Sequence, residues 1–247
     1  MKIHLMYHDV FESNIKESGF LRKRDYPYKI SARSFEEQVQ AIATLCRDKG
    51  ICQDDVVFTF DDGGKSFYNV VAPILEKYGY RGLFFISTQY IDTDTFLSRQ
   101  EIIALHRRGH IIGSHAHSHK HLYTLTDEQV VNEWKYSVDI LSNILGERII
   151  YASIPNGDVS KRVLNAISLQ GVQYVYTSEP TTQVKSHNEM SIIGRYVVLS
   201  ESSTQYVLSL VGSKYRRFLL QMRHIVLMPI KRILGGYYVK LKNIFYK

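Results

Sequence analysis

The chain has 247 residues, 45% hydrophobic, 12% aromatic and 22% charged, with five prolines and fifteen glycines; this balance excludes disorder and a fibrous repeat and suits one globular domain. The formal charge of +7 sits at one end: residues 213–247 carry nine Lys or Arg and no acid, so the preceding 212 sum to −2. We therefore expect a body over 1–212 and a basic tail over 213–247, and the tail's many aliphatic residues argue against nucleic-acid binding.

Residues 1–10 contain an apolar run broken by His4 and His8 and followed by acids, unlike a secretory leader. No window approaches the roughly 20 apolar residues of a membrane span. Cys46 and Cys52 form neither a zinc clamp nor a disulfide framework, so a cytoplasmic, reducing location is expected.

Short apolar runs alternate with helical patterns, as in strand–helix units around a parallel sheet. The predicted strands are 3–7, 56–60, 82–87, 110–113, 149–152, 174–176 and 192–198. Between them Ser34 opens a helix bearing Phe35, Val39, Ile42 and Leu45, Ser98 with Glu101 makes a capping box, and 126–145 is the longest helix. Ligands of such sheets sit beyond the carboxyl ends of the strands.

Strand 56–60 runs into Asp61-Asp62-Gly63-Gly64. Neighbouring strand side chains face opposite ways, so two acids serve one site only where the strand turns, and the glycines supply that turn. Strand 110–113 runs into Ser114-His115-Ala116-His117-Ser118-His119, where His115 and His119 are spaced to share one face of a helical turn. One carboxylate and two imidazoles with an open position suit a catalytic Zn²⁺ or a related divalent ion. Either segment alone is an ordinary loop; together, at one rim, they make a site.

Residues 57–63 and 113–119 resemble the first two motifs of the polysaccharide deacetylase family, the NodB-homology or carbohydrate esterase family 4. Residues 5–8, 34–38 and 152–157 support the resemblance, which covers about residues 1 to 200. It implies an α/β fold, a distorted, incomplete (β/α)7 barrel, and metal-dependent hydrolysis of an N-acyl group on an amino sugar. Carried over by position, Asp61 is the general base, and Asp62, His115 and His119 hold Zn²⁺, Co²⁺ or Ni²⁺. Ala116 replaces a hydroxyl that usually braces the second motif, which predicts a looser loop. Ser153-Ile154-Pro155-Asn156-Gly157 lacks the third motif's arginine and aromatic residue, although the Asn156 amide can still donate to an oxyanion.

The family's late Leu-x-His acid has no match; among the remaining histidines His187, in a polar stretch, is read either as that acid or as a solvated loop histidine. His117 and His121 read as supporting or surface groups. His8 reads as a hydrogen-bonded core histidine that could also reach the rim. Arg195, near the last strand, either holds Asp61 as a bidentate partner in place of the missing arginine or is an exposed strand residue.

The function expected is removal of N-acetyl or N-formyl from an amino sugar in surface polysaccharide or glycolipid synthesis, the substrate being a glycan or a lipid-linked or nucleotide-linked sugar. The competing class is a catalytically degenerate sugar-binding or assembly protein that retains the metal site. On a helical wheel Lys214, Arg216, Arg217, Arg223, Lys231 and Arg232 take one half of the tail, and Phe218, Met222, Ile225, Val226 and Ile233 the other. This predicts peripheral contact with anionic membrane, at the inner face. Leu220, Leu227 and Leu234 on the basic half, Pro229 within the helix and Gly235-Gly236 beyond it count against that reading, and packing on the barrel or on a partner subunit would give a similar pattern.

Overall fold

The computed structural model describes residues 1–234, with side chains through Leu227; the side chains of Lys231, Arg232, Ile233 and Leu234, and Gly235 with Gly236, lie outside the described residues. In chain order the strands are β1 (Ile3–Tyr7), β2 (Asp9–Phe11), β3 (Lys29–Ser31), β4 (Val56–Phe60), β5 (Gly82–Ile86), β6 (Ile111–Ser114), β7 (Tyr151–Ser153), β8 (Tyr174–Tyr176), β9 (Lys185–His187), β10 (Met190–Ile193) and β11 (Tyr196–Val197). The helices are α1 (Ala32–Lys49), α2 (Ala72–Lys77), α3 (Arg99–Arg107), α4 (Asp127–Leu145), α5 (Lys161–Ser168), α6 (Thr204–Gly212) and α7 (Lys214–Leu234).

The main sheet runs β11-β1-β4-β5-β6-β7-β8-β10-β9. All its pairings are parallel except β10 with β9. It curls into an incomplete barrel, and β2 pairs with β3 as a separate ribbon.

Alternation along the strands divides the apolar residues between two cores. Phe58, Phe60, Phe84 and Ile86 face the helices with Phe35, Ile42 and Trp134. Leu83 and Phe85 face inward with Tyr176 and Ile193.

The expected strand 192–198 is two strands. β10 pairs with β8 and β11 with β1, so Gly194 and Arg195 alone carry the chain between the two ends of the parallel run. Gly194 is required there, because a Cβ would fall 2.4 Å from the Glu179 carbonyl oxygen and 2.6 Å from Thr181 Cγ2.

Helix boundaries follow their caps. α1 begins at Ala32, before Ser34, because Ser31 is the N-cap and its side chain accepts from the Ser34 amide. The capping box at Ser98 and Glu101 is present, and a second joins Thr126 to Gln129 at the start of α4. The longest helix is α7, not α4, and it continues through Pro229.

Candidate active site

The residues that matter lie one step past their strands. Tyr7 pairs with Phe60, and the Asp61 amide donates to the Tyr7 carbonyl, so His8 and Asp61 leave β1 and β4 side by side. Ser87 follows β5, His115 follows β6 and Thr177 follows β8. Parallel register thus delivers them to one rim, above a cleft of about 800 Å³.

Asp61 continues the inward face of Thr59. Asp62 reaches the same site because its own backbone turns left-handed, with φ 86°, as does Gly63 with φ 92°. Gly64 serves close approach instead, since a Cβ would meet Ser18 Oγ at 2.7 Å. The turn is therefore made by Asp62 and Gly63, not by the two glycines.

Arg195 is 1% exposed and grips Asp61 with two parallel hydrogen bonds, Nη1 to Oδ1 at 2.7 Å and Nη2 to Oδ2 at 2.8 Å. Its remaining donors reach Thr177 O, Thr59 Oγ1 and Ser153 Oγ. The Ser153 hydroxyl in turn donates a hydrogen bond to Asp61 Oδ2 at 3.2 Å. An arginine 134 residues further along the chain therefore clamps Asp61, with Ser153 inside the same network. Burial alone would raise the Asp61 pKa, but the charges of Arg195 and His115 overcome it and hold the carboxyl below its usual range.

The histidine segment is not a helical turn. After β6 it is an irregular loop with Ala116 at φ 58° and His119 at φ 57°, and these two left-handed residues bring the rings of His115 and His119 to 5.2 Å. Asp62, Ala116, His119 and Asn156 (φ 58°) are all strained and all at this rim, at order 1–3 kcal/mol each.

The loop is firmly held despite Ala116. Glu133 on α4 accepts from the amides of His117 and Ser118 at 3.0 and 2.7 Å and from Ser118 Oγ at 2.6 Å. Ser114 Oγ accepts from the Ala116 amide, Ser87 Oγ donates to the His115 carbonyl, and the Ala116 methyl sits in the apolar core. These bonds brace the loop without a hydroxyl at position 116.

His115 Nδ1 donates to the Ser153 carbonyl at 2.9 Å, so in the neutral ring the lone pair is on Nε2, which lies 3.5 Å from Asp62 Oδ1. His119 Nε2 lies 3.0 Å from the same oxygen. That oxygen is buried and accepts no hydrogen bond. Burial would raise the Asp62 carboxyl, yet His119 and His115 hold it well below the carboxylate range, while Asp62 in turn raises His119 against its own burial. A carboxylate oxygen and two Nε2 atoms converging within 4.8 Å, with one tautomer already set by a carbonyl, fit a divalent cation.

The other candidates fall around this centre. Asn156 sits at the mouth, its side-chain amide 3.4 Å from the His119 carbonyl. His187 lies on β9, where its Nε2 meets Asn165 Oδ1 at 2.8 Å, and none of its contacts involves the carboxylates. His117 turns to Thr88 and Tyr136, and His121 to Asp158.

His8 is not a hydrogen-bonded core histidine. Its ring packs on Tyr28 at 4.4 Å and lines the cleft, and its buried Nδ1 has no partner. Burial lowers its pKa, opposed by the charges of Asp62 and Asp61. The signal for His8 is the one that marks Asp61, a polar residue immediately past an apolar strand; Glu133, mid-helix, gives none.

The family model described as polysaccharide deacetylase matches residues 49–175. YxkH of Bacillus subtilis is 26% identical over 179 residues, covering 71% of this chain and 64% of that protein. The peptidoglycan-N-acetylmuramic acid deacetylase PdaA of the same organism is 28% identical over 136 residues, covering 54% of this chain and 50% of that protein. The chain thus spans half to two thirds of the length of these curated relatives. Among solved structures, the Streptococcus pyogenes deacetylase PplD in complex with acetate superposes with a TM-score of 0.66 at 19% identity, over 85% of this chain and 97% of that one, a likeness of fold.

Proposed function

The chain belongs to the polysaccharide deacetylase family, and on that premise we propose that it is a divalent-metal hydrolase removing an N-acetyl or N-formyl group from an amino sugar of a glycan, or of its lipid-linked or nucleotide-linked precursor. The observation that carries this reading is the pairing of two differently treated acids at one rim. Asp61 is clamped by Arg195, and Asp62 offers an unpartnered oxygen to two imidazoles.

Zn²⁺, Co²⁺ or Ni²⁺ held by Asp62, His115 and His119 would supply Lewis-acid chemistry, acidifying water and polarising the acyl oxygen. Asp61 takes the proton of the attacking water. Arg195 and Ser153 fix which way its oxygens point, and Arg195 keeps it ionised before each turnover. The proton that Asp61 takes leaves on the departing amine, relayed by His8, which lies level with Asp61 in the sheet register. The Asn156 amide, on its left-handed turn at the mouth, donates to the oxyanion. His187, engaged by Asn165, meets the flank of a longer substrate instead of the scissile bond.

The competing reading, a degenerate binding protein, drew on a missing arginine and a missing acid; Arg195 on Asp61 and His8 at the rim remove much of that support. The test is release of acetate or formate from N-acylated amino-sugar oligomers, with and without added Zn²⁺, Co²⁺ or Ni²⁺. Metal-stimulated release that Asp61→Asn abolishes supports the hydrolase. A metal-loaded wild-type protein that binds these glycans and releases nothing overturns it in favour of the binding protein.

A further inference from the structure

We propose that the outer face of α7 is a docking surface for anionic lipid bilayer and that it sets the mouth of the cleft beside the headgroups. The helix has two distinct sides. Arg217 is buried and donates through Nη1 to the Leu210 and Val211 carbonyls, closing the carboxyl end of α6, while Leu220 packs against the main core and the inward-facing His224 lines the cleft. Leu227 is half-buried on this side as well. The leucines at 220 and 227 that sit among basic residues in the sequence are thus the helix's attachment to the body, and Arg217 belongs with them, not with the solvent-facing cations.

The opposite side is apolar and uncovered among the described residues. Tyr215 (71% exposed), Phe218 (55%), Leu219, Met222, Ile225 and Val226 (55%) are all exposed. At 100° per residue they fill one arc of about 120°. Lys214 borders that arc on one side, and Arg223 and Arg216 on the other, Arg216 lying over the Tyr206 ring. An apolar strip edged on both sides by cations is the form of a helix lying in a bilayer interface, its aliphatic and aromatic residues among acyl chains and its cations at phosphates. No helix among the described residues is long and apolar enough to cross a membrane.

Charge selects the occupant. No acid follows Glu201, and nine Lys or Arg do from residue 213 onward. A second copy of the chain laid on this face would bring like charges together with no acid of the tail to offset them, whereas an anionic surface attracts each cation by about 1 kcal/mol. With His224 on the inner side of the same helix, docking brings the cleft to the lipid surface, where a sugar carried on a lipid would be presented; that last clause rests on the function proposed above, and the docking does not.

The experiment is co-sedimentation of the full chain with phosphatidylcholine vesicles with or without phosphatidylglycerol. Binding is expected only with phosphatidylglycerol. It should fall about fivefold for each of Lys214→Ala and Arg223→Ala and be lost in Phe218→Glu/Ile225→Glu, whose exposed positions leave the thermal melt unchanged. His115→Ala should dock like wild type, which separates docking from the metal site. Equal sedimentation with neutral vesicles, wild-type binding by the double variant, or no vesicle binding together with a dimer that Phe218→Glu dissociates each overturns the proposal. Wild-type protein that docks but releases neither acetate nor formate overturns only the proposed function.

Discussion

Replacing Arg195 by lysine keeps the positive charge and removes the planar fork. In the native protein the guanidinium makes five hydrogen bonds: two to Asp61 and one each to Thr177 O, Thr59 Oγ1 and Ser153 Oγ. An ammonium has three donors radiating from one atom, so at least two of these buried acceptors are stranded. Each stranded polar group costs about 1–3 kcal/mol, and neutral acceptors lie at the lower end, so Arg195→Lys should lose about 2–4 kcal/mol. Arg195→Met, which leaves Asp61 as an unpaired buried charge, should lose about 3–5 kcal/mol. Displacement of Asp61 by about 1 Å should lower kcat of the lysine variant about 100-fold. KM and bound metal should change little, because Asp62, His115 and His119 make no contact with Arg195. Urea melts, kcat and KM on an N-acetylated oligomer, and elemental analysis measure the three quantities. A lysine variant with wild-type kcat would refute the orienting role, and one with wild-type stability would refute the count of stranded acceptors.

His115→Ala or His119→Ala should abolish stoichiometric divalent metal in elemental analysis, whereas Asp61→Asn should retain the metal and lose turnover. His8→Gln should keep its metal while kcat drops about 100-fold or more; an unchanged rate would place the proton donor elsewhere. Glu133→Ala removes three hydrogen bonds from the His117–Ser118 segment and should weaken zinc affinity about 10–100-fold in competition with a chelator. His4, buried and pushed down from 6.5 to about 4 by desolvation and then by Arg195, makes the unfolded chain bind more protons between those values. Its contribution is complete above pH 6.5 and is lost as the pH falls toward 4, so stability at pH 5 should be about 2 kcal/mol lower than at pH 8 on this account. His4→Phe should flatten that part of the profile in urea melts.

The strand ends were legible because each combines a local pattern with a local chemical change. Val56–Phe60 ends in two acids and Ile111–Ser114 in histidines, and no long-range information is needed to see either. The route to Arg195 needed the pairing of β10 with β8 and of β11 with β1, contacts that a continuous apolar run does not encode, so one strand was expected where two exist. His8 looked like a core residue because its solvent access depends on where the distant Tyr28 lies. Glu133 resembles any polar position on an amphipathic helix, and only the folded loop above it reveals what it accepts. The helical spacing of His115 and His119 gave the correct pair for an incorrect reason, since left-handed residues, not a helical turn, align them.

The barrel has no ladder of hydrogen bonds between its first and last parallel strands; two residues of chain make the splice, and the second of them holds Asp61. An excursion that parts β11 from β1 therefore withdraws Arg195 from Asp61 before it disturbs the cores on either side. The same holds during assembly, since the guanidinium can find Thr59, Ser153 and Thr177 together only when β4, β7 and β8 already stand in their final places. The clamp on Asp61 is thus a report that the barrel has closed in the right frame. Gly194→Ala, which wedges a methyl group against the Glu179 carbonyl, is in this sense a change at the latch: it should release Asp61 from its clamp while most of the fold still stands.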